Sequence, residues 1–142
     1  MTELVGKSGH VIAADLQEGM LQKVRRKIKG TELENRIILH MCEKDSLNIK
    51  EKVDFALAFY MVHEVPDRTL FFREIFDLVK PNGLFLVVEP KMFHVSEREF
   101  EDTVNDAMAA GFQASKGPPM PFSMTAVLER PRNSLQQINE RE

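Results

Sequence analysis

Cysteine is almost absent from this chain of 142 residues, since Cys42 is the only one. A single cysteine excludes an internal disulfide and a cysteine-rich zinc site, and without an identifiable activating partner it indicates a small core residue rather than a nucleophile. No apolar run approaches the ~20 residues that span a bilayer. The N-terminus also lacks the apolar centre of a signal peptide. We therefore expect a cytoplasmic protein with no membrane partner.

An excess of charge of either sign is also missing. The chain has 19 Lys and Arg against 22 Asp and Glu, which gives a net charge of −3. This balance, with no basic patch interleaved with aromatic residues, argues against nucleic acid as a partner. At this length, with 43% hydrophobic residues, the chain fits one compact domain. We expect that domain over residues 1–130, followed by a frayed polar tail over 131–142.

Short apolar runs alternate with segments of helical spacing along the chain. The pattern predicts strands at 11–14, 36–41, 53–62 and 84–89, helices at 20–28, 66–79 and 96–110, and a final pair of strands at 112–115 and 123–129. The run 11–14, and the run 53–62 after Asp54, are apolar at consecutive positions, which is typical of strands buried on both faces. This order predicts an α/β fold with a mostly parallel sheet, helices on both faces and a C-terminal antiparallel strand pair.

Acidic residues follow two of the predicted strands. Asp15 ends the first and Glu43 follows the second, and ligands of open parallel sheets bind beyond these carboxyl ends. A carboxylate there can accept charge-assisted hydrogen bonds from ribose hydroxyls or from an adenine amine, and the next amide, that of Lys44, can meet a ring nitrogen. The alternatives are a simple strand-to-helix turn at Asp15 and a solvated surface loop at Glu43.

The third predicted strand ends in aromatic residues and a histidine. Ala58, Phe59 and Tyr60 would line the mouth of a cleft, with carbonyl groups able to accept from a ligand ammonium. The adjacent His63 and Glu64 suggest acid–base chemistry or a metal. Adjacent residues rarely bind one ion, however, and no other His or Cys has ligand spacing. We therefore expect no metal site, and we expect His63 to cap local backbone.

Taken together, these segments resemble the class I S-adenosylmethionine-dependent methyltransferases, especially the ubiquinone/menaquinone biosynthesis group. The resemblance is carried by "GHVIAADLQEGML", "RIILHMCEKDSL", "VDFALAFYMVHEVPD", "LFFREIFDLVKPNGLFLVVEP" and "AGFQASKGPPMPFSMTAVLE". It implies a Rossmann-like sheet, S-adenosyl-L-methionine as cofactor and a small-molecule methyl acceptor. The "VKPNG" turn and the closing strand pair favour this family over a nicotinamide dehydrogenase.

The resemblance also implies residue roles. Asp15 would bind the ribose and Leu16 would contact the adenine, while Glu43 and the amide of Lys44 would read the adenine edge. Ala58 and Phe59 would flank the methionine part. The sequence identifies no catalytic residue, since methyl transfer depends mainly on positioning and desolvation.

One family feature has no counterpart here. The 7 glycines include no two separated by a single residue, so the family's glycine-rich loop is absent. The resemblance places that loop and the first strand before residue 1, which implies an N-terminally truncated domain. The strands ending in Asp15 and Ala58 would then each keep an open edge, to be closed by each other, by a second chain in a homodimer, or by a longer reading frame. We expect weak cofactor binding, and the alternative to an enzyme is a non-catalytic interaction subunit.

Overall fold

The structure, a computed structural model, describes residues 5–91 and 95–132. The chain divides into two compact units, Met1–Ile49 and Lys50–Glu142. In the first unit, β1 (Val11–Asp15) is followed by α1 (Glu18–Ile28), a short 3₁₀ turn (Glu32–Asn35) and β2 (Ile37–Met41). β1 and β2 pair in parallel, and α1 lies against both strands with Leu21 and Ile28 buried.

The second unit contains a four-stranded sheet and two helices. Its elements are β3 (Val53–Phe59), α2 (Arg68–Leu78), β4 (Val79–Pro90), α3 (Glu97–Ala110), β5 (Gln113–Lys116) and β6 (Ser123–Glu129). The strand order is β3-β4-β6-β5. β3 and β4 are parallel, whereas β6 is antiparallel to both β4 and β5. The expected α/β fold with parallel pairing and a closing antiparallel pair is therefore confirmed.

The core of the second unit is built on phenylalanine side chains. Phe72 of α2 is fully buried and its ring lies 6.1 Å from that of Phe85 on β4. Phe112, just after α3, packs edge-on against Phe76 at 5.2 Å. The Arg68 guanidinium forms an ion pair with Asp106 at 3.0 Å, which joins α2 to α3. Burial of large aromatic side chains supplies most of the stabilisation in such a layer.

α3 has local signals at both ends. At its start, the Ser96 hydroxyl accepts from the Glu99 N–H at 3.1 Å, and the Glu99 carboxylate accepts from the Ser96 N–H at 2.7 Å, which forms a capping box. At its end, Gly111 has φ +121°, and a Cβ there would lie 2.8 Å from the Phe76 ring. Glycine is therefore required at this helix end.

β4 begins earlier than the sequence predicts. The segment 80–83 was expected to be a turn before a strand at 84–89, but it lies within β4. The pairing register jumps from Val53–Val79 to Phe55–Leu84, so these residues form a bulge opposite β3. Asn82 takes φ +66° there, in the left-handed region that Asn tolerates better than most residues. The early start depends on pairing with β3, which local sequence does not show.

The expectation that β3 is buried on both faces is wrong. Phe55, Leu57 and Phe59 are exposed, and their spacing places them on one face, together with exposed Leu84. β3 is the edge strand of its sheet, with β4 as its one pairing partner in the described part of the chain. β1 is likewise only partly buried. From residue 133 onward, the predicted polar tail lies outside the described residues.

Candidate functional site

Asp15 and Glu43 lie at the same end of the two-stranded sheet. Asp15 is the last residue of β1 and pairs with Met41, the last residue of β2. The N–H of Cys42 donates to the Asp15 carbonyl at 2.8 Å, and Glu43 comes next. Because the strands are parallel and adjacent, the two acids follow neighbouring carboxyl ends, as the sequence predicts for a nucleoside site.

Each acid also belongs to a local turn. One carboxylate oxygen of Asp15 accepts from the Gln17 N–H at 2.8 Å, just before α1. Glu43 and Ser46 exchange backbone hydrogen bonds of 2.9 and 3.3 Å, so the loop after β2 doubles back tightly. The turn interpretation of Asp15 is therefore real. This one bond leaves the Asp15 carboxylate able to accept further hydrogen bonds, since a carboxylate has two oxygens and about four acceptor positions.

Leu16 and Lys44 flank these acids in sequence. Leu16 is a largely exposed apolar side chain directly after β1, and Lys44 is exposed in the turn after β2. An exposed leucine beside two hydrogen-bond acceptors is the combination that a nucleobase requires, with an apolar face and a polar edge.

Ala58 and Phe59 end β3 in the second unit. The Ala58 side chain is buried, so only its main chain can meet a ligand, whereas the Phe59 ring is exposed. Tyr60 follows with φ +55°, and its ring stacks on Phe59 with a centroid distance of 4.2 Å. The Tyr60 hydroxyl bonds the Ser123 hydroxyl at 2.6 Å. A non-glycine residue at positive φ is uncommon.

His63 does not have the environment that the sequence predicts. Its ring Nδ1 lies 2.7 Å from the Glu89 carboxylate, a residue near the end of β4. That carboxylate also accepts from the N–H of Val62 at 3.0 Å and of His63 at 3.2 Å. Glu89 thus caps the 3₁₀ turn Val62–Glu64 with its carboxylate, which the sequence does not predict. The cause is a partner 26 residues away, beyond the reach of local pattern.

Glu89 and Ser123 are residues that sequence reasoning missed. Glu89 is 1% exposed and is the one charged residue in the buried core of the described ranges 5–91 and 95–132. The signal was available, because "VVEP" places an acid at the end of an apolar strand just as "VIAAD" does. Ser123 begins β6 and gave no such signal.

The described residues contain neither a membrane-spanning helix nor a cluster of metal ligands. None of their helices is long and apolar enough to cross a membrane. Within the same residues, no group of three or more His, Cys, Asp or Glu side chains is arranged to hold a metal ion.

Comparison with known proteins supplies an independent line of argument. The methyltransferase domain family matches residues 1–87. A demethylmenaquinone methyltransferase from Listeria welshimeri serovar 6b is 28% identical over 89 residues, which are 63% of this chain and 38% of that protein. The match therefore spans less than two fifths of the length of this curated relative.

Solved structures share the fold at low sequence identity. A SAM-dependent methyltransferase from Aquifex aeolicus superposes with a TM-score of 0.77 at 18% identity, covering 91% of this chain and 73% of that one. The [4+2]-cyclase SpnF gives a TM-score of 0.72 at 13% identity, covering 89% and 68%. The fold is thus shared with a cyclase as well as with methyltransferases. The family match covers more than half of this chain. This shows that the chain belongs to the methyltransferase domain family, the class I S-adenosylmethionine-dependent methyltransferases.

Proposed function

We propose that this chain is an S-adenosylmethionine-dependent methyltransferase domain acting on a small molecule. The observation that carries the proposal is the placement of Asp15 and Glu43 at the carboxyl ends of adjacent parallel strands. Family membership supplies the reaction class, and the two acids supply the acceptors that an adenosine needs.

The donor set fits the adenosine half of the cofactor. We assign the ribose hydroxyls to Asp15, the adenine amine to Glu43, a ring nitrogen to the Lys44 amide and the adenine face to Leu16. In the second unit, taken by itself, the groups at the end of β3 that a ligand can meet are the main chain of Ala58 and the ring of Phe59. No two glycines in the sequence are separated by a single residue. A glycine-rich loop whose backbone could approach the methionine part therefore cannot be assigned in this sequence. We therefore propose that the chain binds the cofactor more weakly than micromolar.

When bound, S-adenosylmethionine supplies a methyl group that is already activated by the sulfonium. The protein then has to hold the acceptor in line and exclude water, and it needs a base only where the acceptor must lose a proton. The matched relative's name suggests one acceptor to test, demethylmenaquinone.

A tritium transfer assay tests the proposal. The full chain is incubated with S-adenosyl-L-[methyl-³H]methionine and a panel of acceptors that includes demethylmenaquinone, and organic-extractable label is counted. We expect transfer to at least one acceptor, a loss of transfer in Asp15→Asn, and retention in Glu18→Gln. Transfer that survives equally in both variants would contradict the assignment of Asp15.

A second candidate function, a non-catalytic interaction subunit, is favoured by the apolar face of β3. Phe55, Leu57, Phe59 and Leu84 are exposed together on one side of the sheet, and β3 is an edge strand. Taking ~150–250 Å² for each fully exposed large side chain, they present roughly 300 Å², which is at the lower end of the largest apolar patch on a typical monomer, a patch that is often functional. A second copy that packs the same face of β3 against this one about a two-fold axis would cover these side chains.

Sedimentation equilibrium tests the homodimer on which the second candidate rests. Leu57 and Leu70 are each 40% exposed, so Leu57→Glu and Leu70→Glu introduce the same charge on the sheet face and on α2 respectively. The subunit hypothesis predicts a dimer that Leu57→Glu dissociates and Leu70→Glu leaves intact. A monomeric wild-type chain would remove the homodimer from consideration.

A further inference from the structure

The loop that follows β2 is held to the sheet at its start. It carries Glu43 and Lys44, the exposed residues to which we assign the adenine edge. Before them, the N–H of Cys42 donates to the Asp15 carbonyl at 2.8 Å, which continues the pairing of β2 with β1. Glu43 and Ser46 then exchange two backbone hydrogen bonds, so Lys44 lies within one tight turn. These two bonds fix the shape of the turn, whereas its position on the sheet depends on how the chain is held before and after it.

A histidine of β2 holds the far end of this loop. The Nε2 atom of His40 lies 2.7 Å from the carbonyl oxygen of Leu47, seven residues further along. Both residues are half-buried, so the bond is partly shielded from water. Asn48 follows with φ +51°, in the left-handed region, and its N–H donates to the Ser46 hydroxyl at 3.1 Å. The chain therefore leaves the turn in a defined direction, with the Leu47 carbonyl directed at the ring.

The partner of the His40 ring determines which of its nitrogens carries the hydrogen. A backbone carbonyl only accepts hydrogen bonds, so Nε2 is the donor to Leu47. In the neutral ring, Nδ1 is then the nitrogen without a hydrogen. A substitute for His40 must therefore place its donor where Nε2 lies, four bonds from Cα. The amide nitrogen of glutamine is at that distance, whereas the amide nitrogen of asparagine is one bond closer and corresponds to Nδ1.

We propose that His40 is a positioning residue for recognition of the adenine base. By holding Leu47, it places the turn that presents Glu43 and Lys44, and thereby sets the preference for adenine over its oxo analogue, hypoxanthine. The inference rests on the proposed function. Adenine offers an amine donor to the Glu43 carboxylate and a ring nitrogen to the Lys44 N–H. Hypoxanthine turns a carbonyl toward the carboxylate and an N–H toward the N–H, so both contacts become unfavourable.

The hold on the turn matters for selectivity between bases more than for affinity. The ribose is assigned to Asp15, whose own turn is closed by the Gln17 N–H and does not include His40. A displaced loop would therefore leave the ribose contact in place. Glu43 and Lys44 are exposed, so water would hydrate both of them once the loop moves, and neither base would then be rejected.

Two amide substitutions in the full chain test the inference. His40→Gln keeps a donor at the distance of Nε2, and His40→Asn is its matched control, equally polar and uncharged but too short to reach Leu47. Equilibrium dialysis with labelled adenosine and inosine measures the preference between the two bases. Asp15→Asn acts on the ribose that both nucleosides share. Solvent exchange of the Glu43 and Ser46 amide hydrogens, followed by NMR without ligand, reports on the turn itself.

We expect the wild type and His40→Gln to prefer adenosine over inosine at least tenfold, because one base gains a charge-assisted bond and the other loses it. In His40→Asn the preference should fall below about threefold. Asp15→Asn should weaken both nucleosides alike and keep the preference. Without ligand, exchange at Glu43 and Ser46 should be roughly threefold to tenfold faster in His40→Asn and unchanged in His40→Gln, which is the effect of losing about one hydrogen bond.

Two results would overturn the proposal. One is unchanged amide exchange in His40→Asn, and the other is a wild-type preference for adenosine that His40→Asn retains. A purely structural role of His40 predicts equal weakening of adenosine and inosine in His40→Asn, with the preference kept. A wild type that binds both nucleosides equally counts against the assignment of Glu43 in the proposed function, and the exchange rates then decide whether His40 holds the turn.

Discussion

The substitution Asp15→Asn distinguishes a role of the Asp15 carboxylate in ligand binding from a role in the turn alone. In the wild type, one Asp15 oxygen accepts from the Gln17 N–H at 2.8 Å. Asparagine keeps an acceptor at that position and is itself common in such turns, so the free energy of unfolding should change by no more than about 0.5 kcal/mol. Removal of the charge, however, converts charge-assisted hydrogen bonds to the ribose hydroxyls into a single neutral one.

The size of the binding loss follows from that difference. Hydrogen bonds to a charged group contribute about 1.5–3 kcal/mol against about 0.5–1.5 for neutral ones. With two hydroxyls served by one carboxylate, the loss should be about 1.5–3 kcal/mol, or roughly 10- to 150-fold in the dissociation constant. The constant is measured by calorimetric titration with S-adenosylmethionine, at protein concentrations suited to binding weaker than micromolar.

Glu18→Gln is the matched control, because it removes a carboxylate three residues away at the start of α1. Its effect reports the general electrostatic attraction of a cationic ligand, which falls with salt. We expect Asp15→Asn to weaken binding at least tenfold more than Glu18→Gln does. Equal losses in the two variants would show that Asp15 serves only the turn. A micromolar or tighter wild-type constant would refute the expectation of weak binding.

Three further predictions concern the second unit and α1. Ser96→Ala should lower the free energy of unfolding by about 1 kcal/mol, because it removes the helix cap. The Ser96 N–H and hydroxyl lower the pKa of Glu99, so the contribution of the Glu99 carboxylate to stability is complete above the ordinary Glu pKa and is lost as pH falls through the lowered one. Urea titrations at several pH values should therefore show less acid sensitivity in Glu99→Gln than in the wild type. Phe72→Ala should lower the free energy of unfolding by about 3–5 kcal/mol, whereas Phe122→Ala, at an exposed ring, should change it by less than about 0.5. Gly111→Ala should lower the free energy of unfolding by more than about 1 kcal/mol, because the alanine would be strained at positive φ and would clash with Phe76. Gly19→Ala, which has open space around it in α1, should raise the free energy of unfolding by about 0.5–1 kcal/mol. Equal effects of the two substitutions would contradict the requirement for glycine at position 111.

Local patterns in the sequence were sufficient where local physics decides the structure. The serine and glutamate three residues apart predicted the start of α3, and the capping box is present with both of its bonds. Asp15 at the end of an apolar run predicted the end of β1, and Gly111 predicted the end of α3. In each case the residues that decide lie within one helical turn or one strand of each other.

The patterns failed where a distant partner decides. The segment 80–83 joins β4 because Val79, before it, pairs with Val53 of β3, and the side chains of Phe55, Leu57 and Phe59 are left exposed on one face of β3. His63 bonds a carboxylate 26 residues further along. His63 was therefore visible as a residue in the sequence, but the orientation of its ring was not, since that orientation comes from a side chain that only the fold brings near.

The fold by itself does not define the reaction, as its similarity to a [4+2]-cyclase shows. In methyl transfer the leaving group arrives with the cofactor, so a protein of this class can lack a strong catalytic signature and still be an enzyme. The residues that point to a function are those whose burial does not stabilise the fold. Glu89 is such a group, because a hydrophobic residue of its volume would suit the core of β4 at least as well. Its three bonds instead fix the turn that follows β3 and orient the His63 ring at the strand end.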